Sequence, residues 1–332
     1  AYLANRGWAM FSKITDEANH PNAYSQLTVL SAEGINVTYT IMSEEDKTVL
    51  VGTVDKSLAV DQSSSGTLTI PATVNGHRVV AVGPDAFNGA YNLTAVNLPE
   101  GLIRICESSF QSSMYLTYIA IPSTVTNIDW FAFFGCSSVK RVCSMADVPP
   151  VVENDYVFKD CLKATLYVPV GSKAAYEEAE YWKDFTTVRE CAPEDWEIAM
   201  TGGFTEKTVD GIDLFYTVLD PDAKTVMVGR DTYSADVSED TEGAVTIPAS
   251  VRGYQVVEIA KYAFRSCTKL TALYLPASVV KIGTGAFSRC QFSVIEVDGL
   301  NPVFDSRDGC NAIVETATNT LLFGSVGTVI PP

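Results

Sequence analysis

The stretch "VVAVGPDAFNGAYNLTAVNLP", residues 79–99, decides the fold. Its apolar residues neither alternate, as in a half-buried strand, nor keep helical spacing for more than a few positions. A backbone that turns Val79, Val82, Phe87, Leu93, Val96 and Leu98 to one side must change direction within the stretch itself. The chain then repeats the pattern. Phe87, Phe110 and Phe133 lie 23 residues apart, Phe158 follows after 25, and Leu98-Pro99 recurs 23 residues on as Ile121-Pro122. Written once, the unit is L-x-x-V-x-L-P-x-x-L-x-x-I-x-x-x-x-F-x-x-small. One such unit is too small to bury its own apolar face, so units must stack. Each therefore makes one coil of a mainly-β repeat solenoid. The "LTAVNLP" segment becomes a strand that pairs with the next coil about 4.8 Å away.

A longer repeat encloses the short one. "TIPATVNG", 69–76, recurs as "TIPASVRG", 246–253, at an offset of 177, and at that offset 29 of the 77 positions from Gly34 to Phe110 are identical. In the second copy Phe264 and Phe287 are again 23 residues apart. The sequence thus predicts two tandem modules, 34–192 and a truncated 193–332, with 1–33 as the remnant of a preceding cap and a linker. The remnant rests on Tyr2, Trp8 and Phe11, which match Tyr176, Trp182 and Phe185 at an offset of 174. At the other end "TVIPP", 328–332, reproduces the strand and proline of a coil with no Ala-Phe turn after it. The natural protein is therefore expected to continue on both sides. An open C-terminal edge would expose unpaired backbone and favour self-association.

Each module opens on a predicted β-hairpin. "INVTYTIMSEEDKTVLVG", 35–52, alternates Ile35, Val37, Tyr39 and Ile41 and turns through Glu44-Glu45-Asp46. "IDLFYTVLDPDAKTVMVG", 212–229, turns at Asp220-Pro221-Asp222. These hairpins are expected to cover the first coil edge. At the end of the first module Ser172 reads as a helix N-cap. Tyr176, Ala179, Trp182 and Phe185 then read as the apolar stripe of a short capping helix.

Composition narrows the function. Against 40 Asp and Glu stand 23 Lys and Arg, a net charge of -17. That balance argues against nucleic acid and against anionic membrane surfaces. No run of about 18 apolar residues predicts a transmembrane helix. The eight cysteines contain no C-x-x-C, and only His20 and His77 could supply imidazole, so no metal site is expected. Cys136, Cys161, Cys267 and Cys290 share one repeat position, held elsewhere by Ala90 and Ser113. That pattern describes a tight buried slot, in which free Cys packs as a small hydrophobe. Cys106, Cys143, Cys191 and Cys310 lie outside it, and a disulfide among them stays open. Two histidines give a Ser-His-Asp or Cys-His arrangement little to work with. His77 sits in a turn where the second module has Tyr254. No phosphate-binding G-x-x-x-x-G-K-[ST] loop is present. "DSRDGCN", 305–311, lacks the alternating ligands and closing Glu of a calcium loop. The chain is read as non-catalytic, without metal or cofactor.

A family resemblance now becomes specific. Leu93, Val96 and Leu98, then Leu116, Ile119 and Ile121, meet the leucine-rich-repeat pattern L-x-x-L-x-L. Proline after the strand, Ala-Phe after a turn and Cys three residues past the Phe resemble the BspA-type leucine-rich repeats of bacterial surface proteins. "ATLYVPVGSKAAYEEAEYWKDF", 164–185, is similar to the C-terminal cap of such arrays in Bacteroides-like bacteria, and 301–331 is similar to another of their repeat variants. The resemblance implies an extracellular, cell-surface protein that adheres to a host or neighbouring-cell surface protein. A glycan-binding surface protein is the alternative.

Two surfaces are candidates for binding. The first is the outward row of the strands: Asn97, Tyr118 and Arg141 in the first module, Tyr274 and Glu296 in the second. Solenoids bind extended partners along such a face, although a merely solvated sheet has the same pattern. The second is "NIDWFAFFGC", 127–136. Trp130, Phe131 and Phe134 stand where the preceding coil has Glu107, Ser108 and Gln111. Three aromatics in such positions form either an exposed apolar patch or a contact with a neighbouring cap or module.

Overall fold

Six backbone hydrogen bonds explain why the opening stretch fits neither period. The N–H groups of Asp85, Phe87 and Gly89 donate to the carbonyls of Glu107, Ser109 and Gln111 one coil on. Ser108, Phe110 and Ser112 donate likewise to Trp130, Ala132 and Phe134, at 2.9, 2.8 and 2.7 Å. The Ala-Phe turn is thus a hydrogen-bonded wall of its own. Residues 79–99 run from one strand wall through this turn wall to a second strand wall. Keeping alternate residues in step requires left-handed backbone at Asp85, Ser108 and Phe131, with φ of 55°, 55° and 56°. All six apolar residues of the stretch join one core.

The computed structural model describes residues 25–230, 235–325 and 327–329, and the chain divides into two compact units after Met200. The cap remnant expected around Tyr2, Trp8 and Phe11 and the last residues of "TVIPP" lie outside the described residues. In the first unit the hairpin strands Asn36–Ser43 and Thr48–Val51 pair antiparallel. Thr48–Val51 then pairs parallel with His77–Val82, so the hairpin covers the first coil edge. Gln26–Leu30 adds a further antiparallel strand on the other side. From His77–Val82 the first wall passes coil by coil to Arg104–Ile105, Asn127–Ile128 and Val151–Val152. The second wall pairs Gly66–Thr69 with Leu93–Asn97. It resumes with Tyr118–Ile121, Arg141–Ser144, Thr165–Pro169 and Thr187–Cys191, all parallel.

Phenylalanines run through the unit as a column. Phe87, Phe110, Phe133 and Phe158 stack with centroids 5.0, 5.2 and 5.6 Å apart, and Trp182 closes the end at 4.9 Å from Phe158. Beside the column lies the small-residue slot. Ser113 Oγ donates to the Phe87 carbonyl at 2.7 Å, Cys136 Sγ to that of Phe110 at 3.1 Å, and in the second unit Cys290 Sγ to that of Phe264 at 2.9 Å. The slot accepts a small donor, or alanine, because it faces the carbonyl of the previous coil's Phe. All eight cysteines are buried free thiols, including Cys106, Cys143, Cys191 and Cys310. Burial pushes the Cys136 and Cys290 thiols up to about 12, which keeps them protonated and unreactive. Cys136→Ala, which removes one weak hydrogen bond and little volume, is expected to lower stability by on the order of 1 kcal/mol in urea melts. Cys136→Leu overpacks the slot and is expected to lower it by about 1–3 kcal/mol. A leucine variant as stable as the alanine one would show that the slot is not tight.

The cap differs from its predicted form. Helix α1 (Lys173–Glu178) holds six residues rather than running to Phe185. Ser172 occupies the N-cap position, but its side chain makes no capping bond. Ala179 is already extended and Tyr181 is left-handed, with φ of 65°, so the chain leaves the helix before Trp182. Aromatic anchoring takes over from helical pairing. Tyr176 donates to the Ala146 carbonyl at 2.8 Å, and Trp182 Nε1 donates to the Pro150 carbonyl at 2.8 Å. A second short helix, α2 (Trp196–Thr201), follows the cap.

The second unit repeats the plan. Gly203–Lys207, Asp213–Asp220 and Thr225–Val228 are antiparallel, and Thr225–Val228 pairs parallel with Tyr254–Ile259. The N–H groups of Tyr262, Phe264 and Ser266 donate to Thr284, Ala286 and Ser288. The second wall holds Gly243–Thr246, Leu270–Leu275 and Val294–Val297. Residues 304–324 then build an antiparallel sheet instead of a further coil. Its strands are Phe304–Asp305, Ala312–Glu315 and Thr320–Gly324. Left-handed Asp308 and Asn319 lie in the turns between these strands. Phe323 packs on Phe287 and Phe292, at 5.6 and 5.9 Å, and covers that end of the Phe264–Phe287 column.

Candidate functional site

The strand-face candidates fall into separate neighbourhoods. Between Leu93–Asn97 and Tyr118–Ile121 the second wall is interrupted. There the Tyr118 hydroxyl donates to Asn97 Oδ1 at 2.5 Å, and Asn97 Nδ2 donates to Thr69 Oγ1 at 3.2 Å. Desolvation holds the Tyr118 phenol above its ordinary range. Arg141, on the next coil, directs Nη1 at the Met200 carbonyl at 3.4 Å. Further along, Cys143, Tyr167 and Cys191 pack against Trp196, Ala199 and Met200 of α2. This end of the strand face is therefore occupied by the chain's own helix. Sequence reasoning missed α2, whose signals are Pro193, Glu194 and Asp195 ahead of Trp196, Ala199 and Met200 at helical spacing. In the second unit Tyr274 and Glu296 are paired in register on adjacent strands, Tyr274 half-buried and Glu296 exposed.

The turn wall carries the aromatic cluster. Trp130 meets Phe131 edge-on at 6.5 Å, and Phe131 meets Phe134 edge-on at 5.7 Å. Tyr156 joins them, at 5.3 Å from Phe131 and 6.2 Å from Phe134, with Lys159 Nζ 4.6 Å from its ring centre. Offset and edge-on pairs of this kind are favourable beyond their buried area. The rings form a ridge whose ends stay open, since Trp130 is 42% and Tyr156 38% exposed. Tyr156 was not singled out from the sequence because its coil spans 25 residues instead of 23. Counting 25 from Phe131, as from Phe133 to Phe158, finds it.

The base of the ridge is polar and fixed. The Trp130 N–H donates to Glu153 Oε2 at 3.3 Å, and the Gly135 N–H to Asp160 Oδ2 at 3.0 Å. Beneath, Arg104 Nε donates to Asp129 Oδ2 at 2.9 Å, its Nη2 lies 2.9 Å from Asp129 Oδ1 in a two-point ion pair, and it approaches Glu153 at 3.7 Å. This arrangement fixes the rings in place and presents a surface, with no reactive group among them. His77, buried in its turn, meets the Asn75 carbonyl and Glu44 Oε2, each at 3.1 Å, and His20 lies outside the described residues. Among the described residues no group of three or more His, Cys, Asp or Glu could hold a metal ion, and no helix is long and apolar enough to cross a membrane.

Comparison with known proteins gives a family match and remote structural neighbours. A search of curated proteins returned no match. Among solved structures, a leucine rich cell surface protein from Faecalibacterium prausnitzii is 20% identical, with 82% of this chain and 76% of that one covered and a TM-score of 0.32. A leucine-rich repeat protein of T. pallidum is 18% identical over 76% of this chain and 86% of its own, TM-score 0.34. One from Bacteroides ovatus is 17% identical over 79% and 69%, TM-score 0.31. The "BspA type Leucine rich repeat region" matches in six copies, over residues 62–177 and 244–305. With more than half of its length matched, and with the coil, slot and column those residues build, the chain belongs to the BspA-type leucine-rich-repeat family.

Proposed function

We propose that the chain is a non-catalytic binding scaffold of the bacterial cell surface, and that its aromatic ridge takes a protein partner on a host or neighbouring cell. The observation that carries this is the ridge itself: four contacting rings, partly exposed, on a wall whose other coils place Asp85, Ser108 or Gln111 there. Aromatic side chains dominate the energetics of protein interfaces, and a rigid base removes the ordering cost of holding them. The strand-face residues Asn97 and Tyr118 lie on a different wall, and Arg141 is turned to the Met200 carbonyl, so the ridge and not the strand row is the proposed contact surface. Association between copies is a separate expectation. It is supported by the edge strand Thr320–Gly324, on which Leu321 and Leu322 are exposed.

The test is the triple change Trp130→Ser, Phe131→Ser and Phe134→Ser. Serine suits position 131, because Ser108 already holds the same left-handed backbone one coil earlier. Binding to a panel of immobilised matrix proteins is expected to fall at least tenfold while the melting temperature moves by only a few degrees. Unchanged binding would remove the ridge from the account. Collapse of the melting temperature would make it a structural element instead.

A further inference from the structure

A second surface of the first unit has a different chemistry. Tyr91, Asn92 and Tyr115 line a shallow open groove with Thr94, Thr117, Ser138 and Lys140. Tyr91 is 43% and Tyr115 58% exposed. We propose that this groove binds a neutral oligosaccharide, with Tyr91 and Tyr115 as the platforms for its sugar rings.

The fold does not require these tyrosines. At the offset of 177, the second module has Thr268, Lys269 and Phe292 in place of Tyr91, Asn92 and Tyr115. Phe292 is fully buried against Phe287 and Phe323, and Lys269 is ion-paired to Asp240 at 2.6 Å. Turned outward in the first unit, Tyr91 and Tyr115 expose apolar rings where the other copy of the same coil buries or omits them. Tyr91 also lies over the turn. A Cβ at position 89 would lie 3.3 Å from its ring, so Gly89 gives the ring room to lie against the turn.

The polar lining supplies both donors and acceptors, as sugar hydroxyls need. Asn92 Nδ2 is held by the Gln62 carbonyl at 3.2 Å, which leaves Oδ1 as an acceptor. Thr117 Oγ1 donates to the Thr94 carbonyl at 3.1 Å and keeps its lone pairs. The Thr94 and Ser138 hydroxyls and the Lys140 ammonium have no side-chain partner among the described residues. No Val, Leu, Ile or Met lines the groove, so the two tyrosine rings are its large apolar surfaces. No carboxylate lines it to attract a cation. A polyanion would meet one lysine on a chain of net charge -17. The remaining class is a neutral molecule with apolar ring faces and a rim of hydroxyls. The coil-to-coil step of about 4.8 Å, close to the length of one sugar ring, suits an oligomer laid along the axis.

Saturation-transfer NMR and calorimetry with maltohexaose, cellohexaose and mannohexaose, and with a hyaluronan hexasaccharide as the anionic comparison, test this. At least one neutral hexasaccharide is expected to bind. Tyr91→Ala and Tyr115→Ala should each weaken that binding at least tenfold, with the circular dichroism spectrum unchanged because both side chains are exposed. The ridge triple variant should bind the sugar as the parent does, which separates this site from the protein site. The proposal is overturned if no neutral hexasaccharide binds, if hyaluronan alone binds, or if the tyrosine variants bind normally.

Discussion

Phe133→Ala is expected to lower the stability of the first unit by about 3–5 kcal/mol. Phe133 is 1% exposed and stands mid-column, 5.2 Å from Phe110 and 5.6 Å from Phe158. The three hydrogen-bonded walls around it cannot move inward independently, so the cavity would stay open and the cost sit high in that range. Its effect should also be directional. In a stacked array each coil is stabilised mainly by its neighbours. Removing the middle ring therefore loosens the connection between the hairpin-covered coils and the capped coils. Urea unfolding followed by circular dichroism should show a lower midpoint, or a single transition split into two. A loss below about 1 kcal/mol would mean that the column is not what joins the coils.

Asp129→Ala is expected to be comparably damaging, at about 3–5 kcal/mol, because it strands the Arg104 guanidinium in the interior. The Arg104 side chain is only 7% exposed, and Glu153, at 3.7 Å, is a poorer partner than the two-point contact it would have to replace. Removing both charges should be milder than removing one. The double variant Arg104→Met, Asp129→Ala is expected to recover most of the loss in the same urea melts. If the double variant is no better than the single, the aspartate is needed for something other than charge balance. Trp130 follows Asp129 directly, so its fluorescence will report whether the ridge shifts with the ion pair.

Much of this architecture was legible in the residues. The spacing of Phe87, Phe110 and Phe133 marked the coil, and the exchange of Ala90, Ser113 and Cys136 marked a small slot before any carbonyl was seen facing it. The alternation from Ile35 to Ile41 gave the hairpins. The turn wall was not legible, because its bonds join residues 22 apart through left-handed backbone at Asp85, Ser108 and Phe131, and none of these is the glycine that normally announces that conformation. The length of α1 was misjudged because Ala179 already turns the chain out of the helix, while Trp182 and Phe185 beyond it keep the apolar stripe. The candidate surfaces were legible only as departures from the repeat. Trp130, Phe131 and Phe134 stood out against Glu107, Ser108 and Gln111. Tyr91 and Tyr115 did not, because one coil of 23 residues aligns Tyr115 with Asn92 rather than with Tyr91.

The left-handed corner of each coil has a consequence for how such a protein can change. The same backbone angle, between 55° and 67°, holds Asp85, Ser108, Phe131, Tyr262 and Gly285. An acid, an alcohol, two aromatics and a glycine share one socket, whose geometry is set by main-chain bonds to the next coil and not by the side chain. Different side chains there leave the main-chain bonds of the turn wall in place. An array of this kind can therefore vary its turn residues coil by coil, as type is exchanged in a printer's frame, without a new fold.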